Sequence, residues 1–100
     1  MVYTIDEIKA KINPIAKQYN LSKVYLFGSY ARGEEDENSD IDIALEIEDE
    51  SHYMDVYEIL SSVFNCDVDI LLVNDLLEPK TNMGVMVKKN FLHDRVLIYQ

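Results

Sequence analysis

The hydrophobic positions along the chain alternate between a helical and a strand period, and this alternation predicts the secondary structure. Between residues 5 and 19 the apolar residues recur every three or four positions, which is the spacing of one face of an α-helix. Thr4 followed by Glu7 is a capping-box pattern, so the helix should begin just after Thr4. Pro14 lacks an amide hydrogen, and we therefore expect it to kink or split this helix.

Four short apolar runs predict β-strands. Each contains four to seven residues and is bounded by polar or turn-forming residues. The predicted strands are residues 24–27, 41–47, 68–73 and 96–99. We expect the third strand to be buried, because it is apolar apart from Asp69.

Helical spacing returns between the later strands, and the turn at residues 28–33 is expected to lead into a short helix. A further single turn of helix is expected at residues 75–78. The apolar faces of the two longer helices, residues 53–64 and 82–91, would consist of Met54, Tyr57, Leu60 and Phe64 in the first and of Met83, Met86, Val87 and Phe91 in the second. Strands interleaved with helices predict an α/β (α+β) domain, with a small mixed sheet of about four strands and helices packed mainly on one face.

Charge narrows the range of partners. The 19 acidic and 9 basic residues give a formal net charge of −10. A chain this acidic lacks the positive surface that general nucleic-acid binding needs, so a basic protein or a small cation is the better partner. Cys66 is the single cysteine, no secretory signal opens the chain, and no apolar run is long enough to cross a bilayer. We therefore expect a cytoplasmic protein without a membrane partner.

Residues that can bind phosphates or metal ions lie after the first predicted strand, at the start of the second and within the third, and this placement favours nucleotide chemistry. Gly28 and Ser29 follow the first strand, and glycine lets the backbone turn and approach a ligand closely. After ten intervening residues come Asp40 and Asp42, which share one face of the second strand because side chains alternate. Asp69 lies in the third strand, where a buried carboxylate is costly unless it is paired or bound to a metal. If these strands are neighbours, the three carboxylates can hold two Mg²⁺ ions about 3.5–4 Å apart.

This spacing resembles the pattern of the polymerase-beta-like nucleotidyltransferase superfamily. Residues 27–33, Phe-Gly-Ser-Tyr-Ala-Arg-Gly, and residues 39–42, Ser-Asp-Ile-Asp, are similar to the motif of its smallest branch, the minimal nucleotidyltransferases. The resemblance runs nearly end to end. It implies the nucleotidyltransferase fold in a single domain over residues 1–100.

The resemblance also implies roles for individual residues. Asp40 and Asp42 would bind both metal ions, and Asp69 would bind the catalytic ion and act as base. Gly28 and Ser29 would bind the phosphates of the nucleotide, with ATP as the donor.

Many minimal nucleotidyltransferases are antitoxins, and their partner toxin is a helical ribonuclease of the HEPN family. The resemblance therefore implies Mg²⁺-dependent transfer of AMP from ATP to a tyrosine of a cognate HEPN toxin, within a hetero-oligomer. Two alternatives stay open. The antitoxin can act by steric occlusion without catalysis, or the acceptor can be a small-molecule hydroxyl, as in enzymes that modify aminoglycosides.

Several residues have no assigned chemistry at this point. Arg32 belongs to the motif, and it either contacts a phosphate or holds the turn by pairing with a carboxylate. His52 and His93 lack a metal-ligand spacing, so surface or packing roles are expected. Seven tyrosines offer sites for self-modification, but the sequence singles none of them out.

Overall fold

A four-stranded mixed sheet lies at the centre of the structure, a computed structural model that describes residues 2–100. The strands are β1 (Lys23–Phe27), β2 (Ile41–Glu46), β3 (Val68–Leu72) and β4 (Val96–Tyr99), in the spatial order β3-β2-β1-β4. β1 pairs antiparallel with both β2 and β4, whereas β2 and β3 run parallel. All four predicted strands are confirmed to within one or two residues at their ends.

Within residues 2–100, five α-helices and one 3₁₀ turn connect or flank the strands. They are α1 (Ile5–Gln18), α2 (Ser29–Arg32), the 3₁₀ turn Glu50–His52, α3 (Tyr53–Ser62), α4 (Val73–Leu77) and α5 (Asn82–Asp94). The larger hydrophobic core joins α1 and α3 to one face of the sheet. A smaller core on the other face joins α4 and α5 to β1 and β2, through Phe27, Ala44, Val73, Leu76 and Phe91. None of the helices within residues 2–100 combines the length and hydropathy that crossing a membrane requires.

Helix α1 confirms its predicted start and overturns one expectation. The Thr4 hydroxyl accepts from the Glu7 amide at 3.1 Å, and a Glu7 carboxylate oxygen accepts from the Thr4 amide at 3.0 Å. Pro14 nevertheless lies inside one continuous helix, so the expected split is wrong. The reason is packing: Ile8, Ile12, Ile15 and Ala16 are all buried, and this outweighs the one backbone hydrogen bond that proline removes.

Two expectations about burial are also wrong. The third strand is not a buried strand, because among the residues that the structure describes β3 pairs with β2 alone and forms an edge of the sheet, with Asp69 and Leu71 exposed. The predicted helix faces contain residues that lie outside the core: Met54, Met83 and Met86 are 61, 77 and 67% exposed. Instead, α3 buries Val56 and Leu60, and α5 buries Phe91 alone among its described residues. Only a narrow strip of each helix therefore packs against the sheet.

Candidate active site

The parallel pairing of β2 and β3 brings the predicted carboxylates together. Asp42 and Asp69 are register partners in adjacent strands. Asp40 precedes Asp42 by two residues and lies on the same side of the chain. All three line one open cleft of about 680 Å³ on the face of the sheet that carries α5. The condition set by the sequence, that the second and third strands be neighbours, is therefore met.

The turn after β1 forms another wall of this cleft. Gly28 has a φ of +77°, in the region that residues with side chains rarely adopt. A Cβ built at Gly28 would overlap the nearer carboxylate oxygen of Asp42 and lie 3.0 Å from its carboxyl carbon. Only glycine therefore lets the backbone pass this close to Asp42. Ser29 begins α2 immediately afterwards and lines the same cleft.

The electrostatics of the cleft centre on Asp42. Burial, the charge of Asp69, a side-chain hydrogen bond with Asp69 and the charge of Asp40 together raise the pKa of Asp42 to about 6, while Arg32 acts in the opposite direction. Crowded carboxylates of this kind favour a cation between them, since a cation removes the repulsion that raises the pKa.

The donor set fits a hard divalent cation, although its ligands are not gathered around a single point. Among residues 2–100, no three His, Cys, Asp or Glu side chains already lie close enough to form a metal cluster. The carboxylates of Asp40, Asp42 and Asp69 share the cleft, and carboxylate oxygens are the ligands that Mg²⁺ prefers. These residues are the ones that would hold the metal, with adjustment of their side chains.

Arg32 is fixed by a residue that the sequence did not indicate. Its Nη1 donates to Asp94 Oδ2 at 2.7 Å, and its Nε donates to Glu34 Oε2 at 3.0 Å. The Asp94 side chain is only 5% exposed and also contacts His93 Nδ1 at 2.8 Å. Hydrogen bonds from His93 and Arg32 lower the pKa of Asp94, and the bond to Asp94 raises the pKa of Arg32. Arg32 thus ties the turn after β1 to the end of α5.

This pairing matches one of the two roles considered for Arg32. Arg32 also lines the cleft, so contact with a phosphate stays a prediction. Asp94 lies 62 residues away along the chain and beyond the predicted end of its helix, at residue 91, so no local pattern announced it.

Six further residues line the cleft and were missed as site residues; three of them belong to the strands, namely Phe27, Ile70 and Leu71, and three to the helices. Val87 and Asn90 come from α5, and Tyr57 comes from α3. Tyr57 was expected on the buried face of its helix but is 38% exposed. Its position fits the helical period equally well on the buried and on the exposed side of the helix, so periodicity alone could not decide between them.

A comparison with protein families identifies the fold and its chemistry. Residues 10–99 match the family model described as "Polymerase beta, Nucleotidyltransferase". The chain belongs to this nucleotidyltransferase family. It is therefore an enzyme of the class that transfers a nucleoside monophosphate from a nucleoside triphosphate, as the resemblance of its motif had implied.

Individual relatives match over nearly the whole domain. One protein of Methanocaldococcus jannaschii, named "Putative protein adenylyltransferase", is 34% identical over 100 residues, which cover 94% of each chain. A second protein of that name from the same organism is 39% identical over 75 residues, which cover 72% of this chain and 81% of the relative.

Solved structures show the same architecture. A crystal structure described as a toxin-antitoxin with AMP-PNP superposes with a TM-score of 0.67 at 25% identity, over 91% of this chain and 72% of the other. A crystal structure described as "a putative nucleotidyltransferase from Sulfolobus solfataricus" superposes with a TM-score of 0.57 at 25% identity, over 94% of this chain and 78% of the other.

Proposed function

We propose that this nucleotidyltransferase is an antitoxin that transfers AMP from ATP to a tyrosine hydroxyl of a cognate HEPN-family ribonuclease toxin. The observation that carries the proposal is the placement of Asp40, Asp42 and Asp69 in one cleft with the Gly28–Ser29 turn. This combination offers carboxylates for metal ions beside a turn that fits phosphates. A modified tyrosine near the toxin's catalytic site would add charge and bulk where RNA must bind.

The three carboxylates would hold two Mg²⁺ ions, which supply charge neutralisation for the triphosphate and activation of the attacking hydroxyl. Asp42 is the anchor of this set, because it is half-buried and is held between Gly28 and Asp69. Asp69, on the open edge strand, is the base that accepts the proton of the incoming hydroxyl. Asp40, at the mouth of the cleft, completes the set.

The turn after β1 would orient the leaving group. The Ser29 hydroxyl donates a hydrogen bond to a phosphate oxygen, and the absence of a side chain at Gly28 lets the backbone reach the triphosphate. Arg32 holds this turn in place through Asp94, so the position of the phosphates depends on α5 as well as on β1.

Several features support a protein as the acceptor. The solved relative with AMP-PNP is a toxin-antitoxin, and the curated relatives carry the name of protein adenylyltransferases. The cleft is open to the surface, and its rim carries the exposed side chains of Tyr57 and Leu71. A net charge of −10 suits a basic partner such as an RNA-cutting enzyme.

The test is intact mass spectrometry of the protein encoded by the neighbouring gene. That protein is incubated with this chain, Mg²⁺ and each nucleoside triphosphate in turn, with Asp40→Asn as the inactive control. A gain of one or more AMP units with ATP, on a tyrosine and absent with the control, is the expected result. If the chain neutralises the partner in a stable complex without any gain in mass, the antitoxin acts by occlusion and not by transfer of AMP. Modification of an aminoglycoside instead would place the acceptor among small molecules.

A further inference from the structure

One tyrosine reaches the cleft from outside the sheet. Tyr57 lies on α3, whose core contacts, Val56 and Leu60, face the opposite side of the sheet and are fully buried. β3 is the edge strand, no strand within residues 2–100 pairs beyond it, and Tyr57 lines the cleft on this side together with Asp40 and Asp69.

Tyr57 differs from the other tyrosines in its access to the carboxylates. Tyr3 and Tyr30 are buried, with exposures of 2% and 1%. Tyr53, one helical turn before Tyr57, donates its hydroxyl hydrogen to the Ile70 carbonyl at 2.8 Å and packs its ring 6.1 Å from that of Tyr57. Over the described residues 2–100, Tyr57 is the one tyrosine that lines the cleft. Its ring is supported by Tyr53, and no side-chain hydrogen bond within that part of the chain engages its hydroxyl.

The order of the strands places Tyr57 opposite the phosphate-binding turn. The Gly28–Ser29 turn follows β1, Asp42 lies in β2, Asp69 lies in β3, and Tyr57 lies beyond β3. Adjacent strands are about 4.8 Å apart, so roughly 10 Å separates the turn from β3, with the carboxylates between them. Nucleotidyl transfer needs the attacking and leaving oxygens roughly in line. If the turn holds the pyrophosphate, the attacking oxygen enters from the side on which Tyr57 lies.

From this arrangement we infer that Tyr57 is a self-modification site, to which the chain transfers AMP in cis when no partner hydroxyl fills the cleft. The inference rests on the proposed function, since the donor is the same ATP. The Tyr57 oxygen forms a bond to the α-phosphorus of ATP, and the bond between that phosphorus and the bridging oxygen to the β-phosphate breaks. Pyrophosphate leaves, and the phenolic proton passes to a cleft carboxylate and then to solvent. The product carries AMP on the acceptor side of the cleft and so limits further transfer.

The experiment uses the chain alone with Mg²⁺ and ATP. Intact mass spectrometry followed by peptide mapping should show one AMP unit on the peptide that contains Tyr57. The gain should be lost in Tyr57→Phe and in Asp40→Asn. It should be kept in Tyr53→Phe, which is the matched control because it removes a neighbouring hydroxyl from the same helix. Circular dichroism of each variant checks that the fold is retained.

Two further measurements make the result decisive. The fraction modified per unit time should not change on dilution of the protein, because the transfer is intramolecular. Modification at another residue, no modification, or modification of Tyr57 that slows on dilution would each overturn the inference. The same wild-type preparation is also tested on the neighbouring gene product. If that partner gains AMP while the chain itself does not, the proposed function stands and only the inference fails; if neither gains AMP, the proposed function fails as well.

Discussion

Asp42 of β2 is the register partner of Asp69 in the parallel strand β3, so the two carboxylates lie on the same face of adjacent strands. The two residues come from strands that α3 connects, so the crossover between these strands assembles the site. Burial and the neighbouring carboxylates raise the pKa of Asp42 to about 6, so this residue is where the fold concentrates electrostatic repulsion. That repulsion has consequences for stability, for metal binding and for catalysis.

Asp42→Asn should stabilise the metal-free protein at pH 8 by about 1–2 kcal/mol, after the screening of a partly exposed group is allowed for. The folded chain holds a proton at Asp42 more tightly than the unfolded chain does. The stability from this protonation is therefore present below about pH 4 and is lost as the pH rises through about 6. Urea denaturation with a chelator present, at pH 5 and pH 8, measures the effect. The gain should shrink at pH 5, and Asp75→Asn, an exposed residue of α4, is the control. Equal stability of wild type and Asp42→Asn at pH 8 would contradict the account.

Mg²⁺ together with a non-hydrolysable ATP analogue should raise the melting temperature of the wild-type protein, because a ligand that binds only the folded state stabilises it. Asp69→Asn should remove most of this rise, since it takes away one of the clustered ligands. Asp75→Asn is the control, because Asp75 is also an exposed aspartate but lies in α4 and does not line the cleft. An equal rise in both variants, measured by scanning calorimetry, would remove Asp69 from the metal site.

Gly28→Ala should abolish nucleotidyl transfer and destabilise the fold. The new Cβ would displace the Asp42 carboxylate and would also occupy a backbone conformation that costs about 1–3 kcal/mol outside glycine. Gly33→Ala separates the two effects, because Gly33 has a φ of +74° but open space around its Cβ position. It should cost about 1–2 kcal/mol and leave transfer measurable. Activity and thermal unfolding of both variants check this. Retained transfer in Gly28→Ala would show that the close approach to Asp42 is not needed.

Arg32→Ala and Asp94→Asn should lower the melting temperature and weaken ATP binding to similar extents, because each breaks the same link between the turn and α5. The change in the double variant should be smaller than the sum of the changes in the two single variants, as expected for residues that act through one contact. Lys88→Ala is the control, because Lys88 lies on α5 like Asp94 but takes no part in the link to Arg32. A much larger increase in the KM for ATP with Arg32→Ala than with Asp94→Asn would instead show that Arg32 contacts a phosphate directly.

The strands and the motif could be predicted because their signals are local. The run 24–27 and the turn at Gly28 are adjacent in sequence, and the alternation of side chains placed Asp40 and Asp42 on one face. Asp69 was correctly expected to lie beside Asp42, but the reason given for this was partly wrong. The sequence predicted a buried strand, whereas β3 is an edge and the half-buried carboxylate of the group is Asp42.

What the sequence could not provide are contacts between distant elements. The Arg32–Asp94 pair joins residues 62 positions apart, and nothing in either local pattern selects the other. Apolar periodicity also cannot distinguish a core-facing methionine from an exposed one, so Met83 and Met86 were placed in the core. Tyr57 reaches the cleft because β3 has no outer neighbour within residues 2–100, which is a property of the strand order.

A crystal structure of the chain with Mn²⁺ and a non-hydrolysable ATP analogue would show whether the cleft is the site of metal and nucleotide binding. Anomalous scattering locates the metal ions independently of the nucleotide. We expect metal ions bound by Asp40, Asp42 and Asp69, with the triphosphate against Gly28 and Ser29. Metal ions or a triphosphate bound away from these residues, in crystals whose cleft is open to solvent, would contradict this expectation.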